Sequence, residues 1–220
     1  MHALERFAGN RSLTILDAGC GDGLLAEAIA RRHPDWSIVG VDMRSELLAR
    51  ARARLERANI GNVEFTQADL TASLGHEAYD AVVAIECLVE IPDDDRALRM
   101  MAEALRPGGL LAIHVPEADW RPVLPGSEAT WRDEVRHGYH REGLAAQLRS
   151  AGLSVSRIDG TCRSVVRFAQ EIRDRIKDAP PSIRALAFPL MAGSVTLERY
   201  GIRWGESRAL FALARRAPDI

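Results

Sequence analysis

Gly19, Gly21 and Gly23 alternate within residues 17–23, DAGCGDG, and carboxylates at Asp17 and Asp22 accompany them. Glycines accept positive φ values, and they let a ligand approach bare N–H groups at the start of a helix. A phosphate would be repelled by the two acids, whereas an amino group or a sulfonium centre would be attracted to them. This spacing also differs from the G-x-G-x-x-G that aims a helix at a pyrophosphate. The segment predicts a site for a cationic nucleoside, with a purely structural turn between strand and helix as the alternative.

Two more acids follow apolar runs in the same way. Asp42 closes the run from Ser37 to Val41, and Asp69 follows the run from Val63 to Gln67. The carboxyl ends of parallel strands meet at one edge of a sheet, where an acid on the second strand can accept ribose hydroxyls. We expect Asp42 to bind the ribose and Asp69 to accept from an adenine amino group. Capping of loops or helices is the alternative for each acid.

Together these segments resemble the class I S-adenosylmethionine-dependent methyltransferases. The resemblance runs from about residue 13 to residue 160. It is carried by Leu16–Gly23, Val41–Asp42, Gln67–Leu70, Tyr79–Val83 and Leu105–Gly109. It implies a Rossmann-like α/β fold with a seven-stranded, mostly parallel sheet, helices on both faces and one antiparallel strand near an edge. A helical insert before the last strand, predicted from the spacing of the last two strands, is a departure from this family.

The resemblance also implies S-adenosylmethionine as the cofactor. The cofactor-binding residues that we predict from it are Asp17, Gly19, Gly21, Gly23, Asp42, Met43, Asp69, Leu70 and Glu86.

The hydrophobic pattern agrees with this fold independently. Short apolar runs alternate with helical spacing, as at Leu98, Met101 and Ala102, which is typical of a parallel sheet buried on both faces. The helix predicted from Glu46 to Ala58 carries several arginines on one face. We interpret them as a solvated face instead of a nucleic-acid surface, because the formal net charge of the chain is -2.

Length and composition favour one domain, residues 1–220, with 47% hydrophobic residues. No apolar run approaches the roughly 18 residues that span a bilayer, and no signal-peptide core opens the chain. The three cysteines are widely spaced, which favours a reducing compartment over disulfides. We therefore expect a cytoplasmic bacterial protein, with a homodimer possible and no nucleic-acid partner.

About fifty residues separate the strand predicted at Leu153–Ile158 from the last one, Arg208–Ala214. A structureless connection of that length is improbable in a compact domain. We predict an insert at 161–205 with helices at Ser164–Asp178 and Ile183–Tyr200. Since strand one is reached by Leu13, without the N-terminal helices that cover the substrate in many relatives, we expect the insert to act as the lid. A core hairpin, a dimer surface or a patch for a lipid substrate are the alternatives.

The segment 117–140, after the fifth strand, is predicted to form the other wall of the active site. Trp120, Trp131 and Tyr139 are its candidate substrate contacts, because flat side chains with one polar tip suit a sugar ring or an aromatic scaffold. His137 and His140 could be hydrogen-bonding loop residues or a metal pair. We expect no metal, because no third ligand accompanies them.

Transfer of a methyl group needs the nucleophile, the methyl carbon and the sulfur nearly in line, and orientation supplies much of the rate enhancement. An alcohol acceptor also has to lose a proton, and a base contributes about 10²–10⁴-fold. The candidate bases are His114, Glu90, His137 and His140, of which His114 has the best predicted placement. Relatives often carry Glu-His after the fourth strand, but Val89 and Glu90 stand here, so no histidine base is carried over.

We therefore expect transfer of a methyl group to a small molecule, at an oxygen of a sugar-bearing or natural-product substrate. A protein that binds S-adenosylmethionine without methylating, such as a regulator or a cyclase, is one alternative. An RNA or protein methyltransferase is another, although the chain has no basic stripe.

Overall fold

The computed structural model describes residues 1–122, 124–125, 135–162, 164–176, 178–183, 185, 189, 193 and 207–218. Its strands are β1 (Thr14–Ala18), β2 (Ser37–Asp42), β3 (Val63–Gln67), β4 (Tyr79–Ile85), β5 (Leu105–Pro116), β6 (Leu153–Thr161) and β7 (Ala209–Arg216). Its helices are α1 (His2–Ala8), α2 (Leu24–Arg32), α3 (Ser45–Ala58), α4 (Asp94–Ala104), α5 (Arg141–Ser150) and α6 (Ser164–Arg175), with a 3₁₀ turn at Leu88–Glu90.

The strands form one seven-stranded sheet in the order β3-β2-β1-β4-β5-β7-β6. β1 to β5 are parallel to one another, and β7 runs antiparallel between β5 and β6. This is the predicted Rossmann-like α/β sheet, and the β6–β7 pairing across the long insert is confirmed. Strand ends differ from our predictions by a few residues.

Both faces of the sheet are buried, and side chains alternate between them along each strand. Ile15 and Val83 join one apolar cluster with α1, α2 and α3, while Leu16 and Val82 join a second cluster with α4 and α5. Period-two alternation places successive residues on opposite faces, so a strand buried on both sides is apolar throughout. The two helical layers therefore hold the sheet between them, and the parallel strands end together at one edge.

A short helix, α1, precedes β1, where we predicted no helices that cover the substrate. Leu4 and Ala8 of α1 are buried, and Glu5 pairs with Arg32, at the end of α2. Because α2 ends where β2 is about to begin, α1 lies at the edge of the sheet opposite the carboxyl ends of the strands. It therefore does not cover the predicted site.

The insert begins with a helix, α6, as predicted, but α6 ends at Arg175 instead of Asp178. Most of the second predicted helix, Ile183–Tyr200, lies outside the described residues. Among the residues that the structure describes, no helix is both long and apolar enough to cross a bilayer.

Candidate functional site

The turn after β1 is held against the end of β2 by three hydrogen bonds. The amides of Gly19 and Cys20 donate to the Val41 carbonyl at 2.8 and 2.9 Å. The Gly21 amide donates to Asp42 Oδ2 at 2.8 Å. The glycine turn and the acid of the second strand therefore form one unit, as their positions at the same edge predicted.

Close packing explains two of the glycines. A Cβ at Gly19 would lie 2.4 Å from the Cβ of Cys87, and one at Gly23 would lie 2.5 Å from Cζ of Phe65. Both residues also have positive φ, 70° and 73°. Any side chain at either position would displace a neighbour and strain the backbone. At Gly21 a Cβ would meet nothing within 4 Å, which leaves room for a ligand beside the backbone.

A cavity of about 610 Å³ opens at this edge of the sheet, and we call it the edge cavity. Its volume is within the usual range for small-molecule sites. It is lined by Gly19, Asp42, Met43, Arg44, Asp69, Leu70, Thr71, Cys87, Glu90, Ile91, Pro92 and Asp93. Five of the predicted cofactor residues lie in this lining, namely Gly19, Asp42, Met43, Asp69 and Leu70.

Asp42 and Asp69 face the edge cavity and also stabilise their own loops. Burial opposes ionisation of Asp42, but hydrogen bonds from the side chain and amide of Arg44 and from the Gly21 amide outweigh burial and lower its pKa. Asp69 Oδ1 accepts from the amide and the hydroxyl of Thr71, both at 2.8 Å, and these bonds lower its pKa. Both acids are therefore ionised at neutral pH. Each acid therefore caps its own loop, as our alternative interpretation had it, and also faces the cavity.

Asp17 lies beneath the glycine turn with its side chain buried. Burial raises its pKa to about 7, against a hydrogen bond from the Ala26 amide, and the charge of Asp42 raises it further. Asp17 Oδ2 has no hydrogen-bond partner among the described residues. Burial, together with the charges of Asp17 and Asp42, also raises the pKa of the Cys20 thiol to about 12. The turn is thus an electronegative environment in which a cation is stabilised.

Residues 87–93 form one side of the edge cavity, and we call them the cavity wall. Glu90 is exposed on this wall, and its Oε2 lies 3.9 Å from Nη1 of Arg44 across the cavity. Asp93 caps α4 by accepting from the Arg96 amide at 3.0 Å. The wall therefore adds a carboxylate that belongs to no strand end and that faces the ligand space.

His114, our preferred base, is held between two partners at the ends of β4 and β6. Its Nδ1 lies 2.5 Å from Oε1 of Glu86, and its Nε2 lies 2.8 Å from Oγ1 of Thr161. The Thr161 hydroxyl donates to the Ala209 carbonyl, so Oγ1 can accept from Nε2, while an ionised Glu86 accepts from Nδ1. Both ring nitrogens then carry protons.

The same contacts determine the charge of His114. Burial lowers its pKa, but hydrogen bonds with Cys162 and Glu86 and the charge of Glu86 outweigh burial and raise the pKa from 6.5 to about 9. A protonated imidazole cannot accept a proton. The structure therefore makes His114 a cationic cross-link between strands at neutral pH instead of a resting general base. Glu86, which we predicted as a cofactor residue, pairs with His114 and does not line the edge cavity.

The aromatic residues of segment 117–140 are not arranged as predicted. Trp120 is 5% exposed and lies beneath the guanidinium of Arg208. Tyr139 is also 5% exposed, and its hydroxyl donates to Asp94 Oδ2 at 2.6 Å. Both side chains make their contacts within the protein, and neither lines the edge cavity. Trp131 lies outside the described residues.

The two loop histidines are exposed. His140 Nδ1 lies 3.0 Å from Oδ2 of Asp119, and His137 projects from the same surface loop. Neither residue lines the edge cavity, so neither is placed to act as a base on a ligand there. Within the described part of the chain, no group of three or more His, Cys, Asp or Glu side chains could hold a metal ion.

Sequence reasoning missed Arg44, Thr71 and the apolar cavity residues Ile91 and Pro92. Arg44 follows the predicted strand end by two residues, and its amide and guanidinium both donate to Asp42 Oδ1. That spacing was available as a signal, because a loop amide two residues after Asp commonly binds its carboxylate. Ile91 and Pro92 line the cavity because of how residues 87–93 fold, and no local sequence pattern indicates that conformation.

Comparison with known proteins gives a consistent family. A family model described as "Methyltransferase domain" matches residues 15–109. The ubiquinone biosynthesis O-methyltransferase of Acinetobacter baumannii (strain AYE) is 29% identical over 167 residues, which is 71% of this chain and 70% of that protein.

Solved structures share the fold at lower identity. The [4+2]-cyclase SpnF has a TM-score of 0.73 at 21% identity, covering 99% of this chain and 80% of its own. Phosphoethanolamine N-methyltransferase 2 of Haemonchus contortus, solved with S-adenosyl-L-methionine, has a TM-score of 0.70 at 21% identity, covering 97% of this chain and 51% of its own.

The residues present fit S-adenosylmethionine. The cofactor carries an amino group and a sulfonium, and the buried Asp17 Oδ2 without a partner lies in the turn where such a cation would be stabilised. The open side of Gly21 leaves room beside the backbone, and the ionised Asp42 can accept from hydroxyl groups. The donors and acceptors therefore match the charge and the polar groups of the cofactor.

We predict that Asp42→Ala weakens binding of S-adenosylhomocysteine at least about tenfold, because hydrogen bonds to a charged group contribute about 1.5–3 kcal/mol each. Calorimetric titration measures the effect. Asp80→Ala is the matched control, since Asp80 Oδ2 also accepts from an amide, that of Thr14, and pairs with Arg106 at the opposite edge of the sheet. An unchanged dissociation constant in folded Asp42→Ala protein would exclude Asp42 from the cofactor site.

We also predict that His114 titrates at about 9, measured by NMR of its ring protons. Its pKa is raised above the ordinary 6.5, so its contribution to stability is complete below pH 6.5 and is lost as the pH rises through about 9. In His114→Gln, which keeps hydrogen bonding without charge, the loss of stability over this interval should shrink. Titration of His114 near 6.5 would contradict the cross-link.

Proposed function

Because this chain belongs to the class I S-adenosylmethionine-dependent methyltransferases, we propose that it methylates an oxygen atom of a small natural-product molecule with an apolar surface. The relative from Acinetobacter is named for O-methylation in ubiquinone biosynthesis, which supports an oxygen acceptor. A sugar ring would need exposed flat side chains, but Trp120 and Tyr139 are buried and make their contacts within the protein, so we favour an apolar scaffold.

The exposed apolar side chains around the edge cavity carry this proposal. Seven large apolar side chains are exposed among the described residues, and four of them lie at this edge. Leu24, the first residue of α2, is 60% exposed, and Met43, the residue directly after β2, is 63% exposed; Ile85 and Val135 are exposed as well. Exposed apolar side chains beside a cavity of this size favour an apolar ligand. A nucleic-acid acceptor would instead call for basic residues.

Each part of the cavity has a proposed role toward the cofactor. Asp42 holds the ribose hydroxyls, Asp69 and Leu70 border the adenine, and Asp17 and Gly19 stabilise the cationic amino-acid end. When bound, S-adenosylmethionine supplies an electrophilic methyl group on a positively charged sulfur. The rigid edge of the sheet fixes these side chains before the acceptor arrives, and such preorganisation reduces the entropic part of the barrier.

Glu90 is the proposed proton acceptor. It is an exposed carboxylate in the cavity wall, whereas both ring nitrogens of His114 are already bound. As the acceptor oxygen takes the methyl group, its hydroxyl proton moves to the Glu90 carboxylate, and neutral S-adenosylhomocysteine is left. A positioned base of this kind contributes about 10²–10⁴-fold to the rate.

The insert 161–205 is proposed to border the acceptor. Thr161 contacts His114 at the end of β6, and α6 starts three residues later at the same edge. The insert therefore begins at the edge of the sheet where the parallel strands end, which supports a position beside the acceptor.

We predict that Glu90→Gln lowers kcat at least about 100-fold while the dissociation constant for S-adenosylhomocysteine changes less than about threefold. Glu103→Gln is the control, because Glu103 is exposed near the C-terminal end of α4, whereas Glu90 lies before its N-terminal end. Candidate hydroxylated natural products would be screened by mass spectrometry for the gain of one CH₂. If Glu90→Gln methylates the acceptor at the wild-type rate, Glu90 is not the base.

The same screen separates methyl transfer from the alternatives. Conversion of an acceptor without mass gain and without S-adenosylhomocysteine would favour a cyclase that retains the cofactor, as the fold shared with SpnF allows. Methyl gain on RNA or protein alone would contradict the small-molecule proposal.

A further inference from the structure

We propose that Arg136 is a positioning residue that holds the cavity wall from outside the edge cavity and couples it to the segment after β5. The Nη1 atom of Arg136 donates to the carbonyls of Leu88 and Ile91 at 3.1 and 3.0 Å. Its Nη2 donates to the carbonyl of Pro92 at 3.0 Å. One side chain therefore binds three carbonyls of a seven-residue wall.

Neighbours of Arg136 bind the same wall, and we call residues 135–139 the clasp segment. The Val135 amide donates to the Val89 carbonyl at 2.9 Å. The Tyr139 hydroxyl donates to Asp94 Oδ2, which also lies 2.9 Å from Nη1 of Arg136. Gln147 of α5 adds a bond to Asp94 at 3.2 Å. The clasp segment thus contacts the wall at Leu88, Val89, Ile91 and Pro92, and it also contacts Asp94, the next residue after the wall.

The chemistry of the contact requires an arginine. The Leu88 carbonyl also accepts from the Ile91 amide within the 3₁₀ turn, whereas Ile91 and Pro92 follow the turn, and all three carbonyls converge on one half-buried guanidinium. A guanidinium presents five donors in a rigid plane and stays charged, whereas an ammonium is a compact charge with flexible geometry. Lysine could bind one or two of these carbonyls but not hold all three in a fixed arrangement.

The arrangement has a functional consequence that rests on the proposed cofactor site. The clasp segment contributes no residue to the cavity lining, yet it fixes the backbone that presents Glu90, Ile91 and Pro92 to the cavity. A ligand that favours the observed position of the wall must also favour the closed clasp, because coupling between two sites is reciprocal. Since the clasp segment continues the predicted acceptor-side loop, cofactor binding prepares the acceptor side before an acceptor arrives.

Arg216 offers a matched control at the opposite edge of the sheet. It donates to the carbonyls of Glu103 and Leu105 at 3.0 and 2.6 Å and pairs with Glu77 at 2.7 Å. Its side chain is 24% exposed, compared with 26% for Arg136. The two arginines thus have similar burial and similar partners, but only Arg136 touches the cavity wall.

The test compares Arg136→Met, Arg136→Lys and Arg216→Met in the full chain, with S-adenosylhomocysteine as the probe. Both Met variants should lower Tm by similar amounts. Only Arg136→Met should raise the dissociation constant, by about tenfold or more, and Arg136→Lys should restore part of the loss. In hydrogen exchange, the probe should protect the amides of residues 135–139 in the wild type and in Arg216→Met, but not in Arg136→Met.

The outcomes separate this inference from the proposed site. If Asp42→Ala weakens binding but folded Arg136→Met binds as the wild type does, Arg136 is only structural and the coupling is wrong. If Asp42→Ala leaves binding unchanged, the edge cavity is not the cofactor site and the coupling is contradicted with it. If Arg136→Met does not fold, hydrogen exchange of the wild-type protein is the test. If S-adenosylhomocysteine then fails to protect the amides of residues 135–139, the coupling is wrong.

Discussion

The attachment of the glycine turn to the end of β2 is the constraint on which the rest of the site depends. Three amides of the turn are satisfied by Val41 and Asp42 of the neighbouring strand, over distances of 2.8–2.9 Å. The strand pairing places the two segments together, and the left-handed glycines allow the backbone to turn without a clash. Because the turn is fixed in this way, Asp17 is buried below it, α2 begins at a defined position, and Asp42 faces the cavity.

The parts of this site that follow from strand order could be predicted from sequence. Acids at the ends of β2 and β3 lie at one edge because the fold places parallel strand ends together, and Asp42 and Asp69 both face the cavity as expected. Partners from distant segments could not be predicted. His114 meets Glu86 and Thr161, which are 28 and 47 residues away, and Tyr139 meets Asp94 at a separation of 45. Residue type suggested chemistry for both His114 and Tyr139, but the partners decide their protonation and accessibility.

Charge distribution explains why this edge suits a cation. An ionised Asp17 is unfavourable in the folded protein, since its pKa is raised to about 7, so the carboxylate destabilises the fold as the pH rises from its ordinary range through 7. A cationic ligand reverses this effect by stabilising the ionised form. In the free protein the ionised Asp17 carboxylate is therefore destabilising, and a bound cation offsets that destabilisation. After methyl transfer the product has lost the sulfonium charge. Affinity for the product should therefore depend less on Asp17 than affinity for the substrate cofactor does.

The other half of the edge uses charge in the opposite way. His114 of β5 is a half-buried cation that joins Glu86, directly after β4, to Thr161 at the end of β6, and Glu86 and Cys162 have positive φ values of 58° and 55°. Such backbone conformations cost about 1–3 kcal/mol each in residues other than glycine, and they persist only where surrounding contacts fix them. The His114 cross-link supplies those contacts. Because one residue separates Cys162 from α6, the cross-link fixes the backbone immediately before the first helix of the insert. Loss of the cation would therefore loosen this junction, which lies apart from the residues that line the edge cavity.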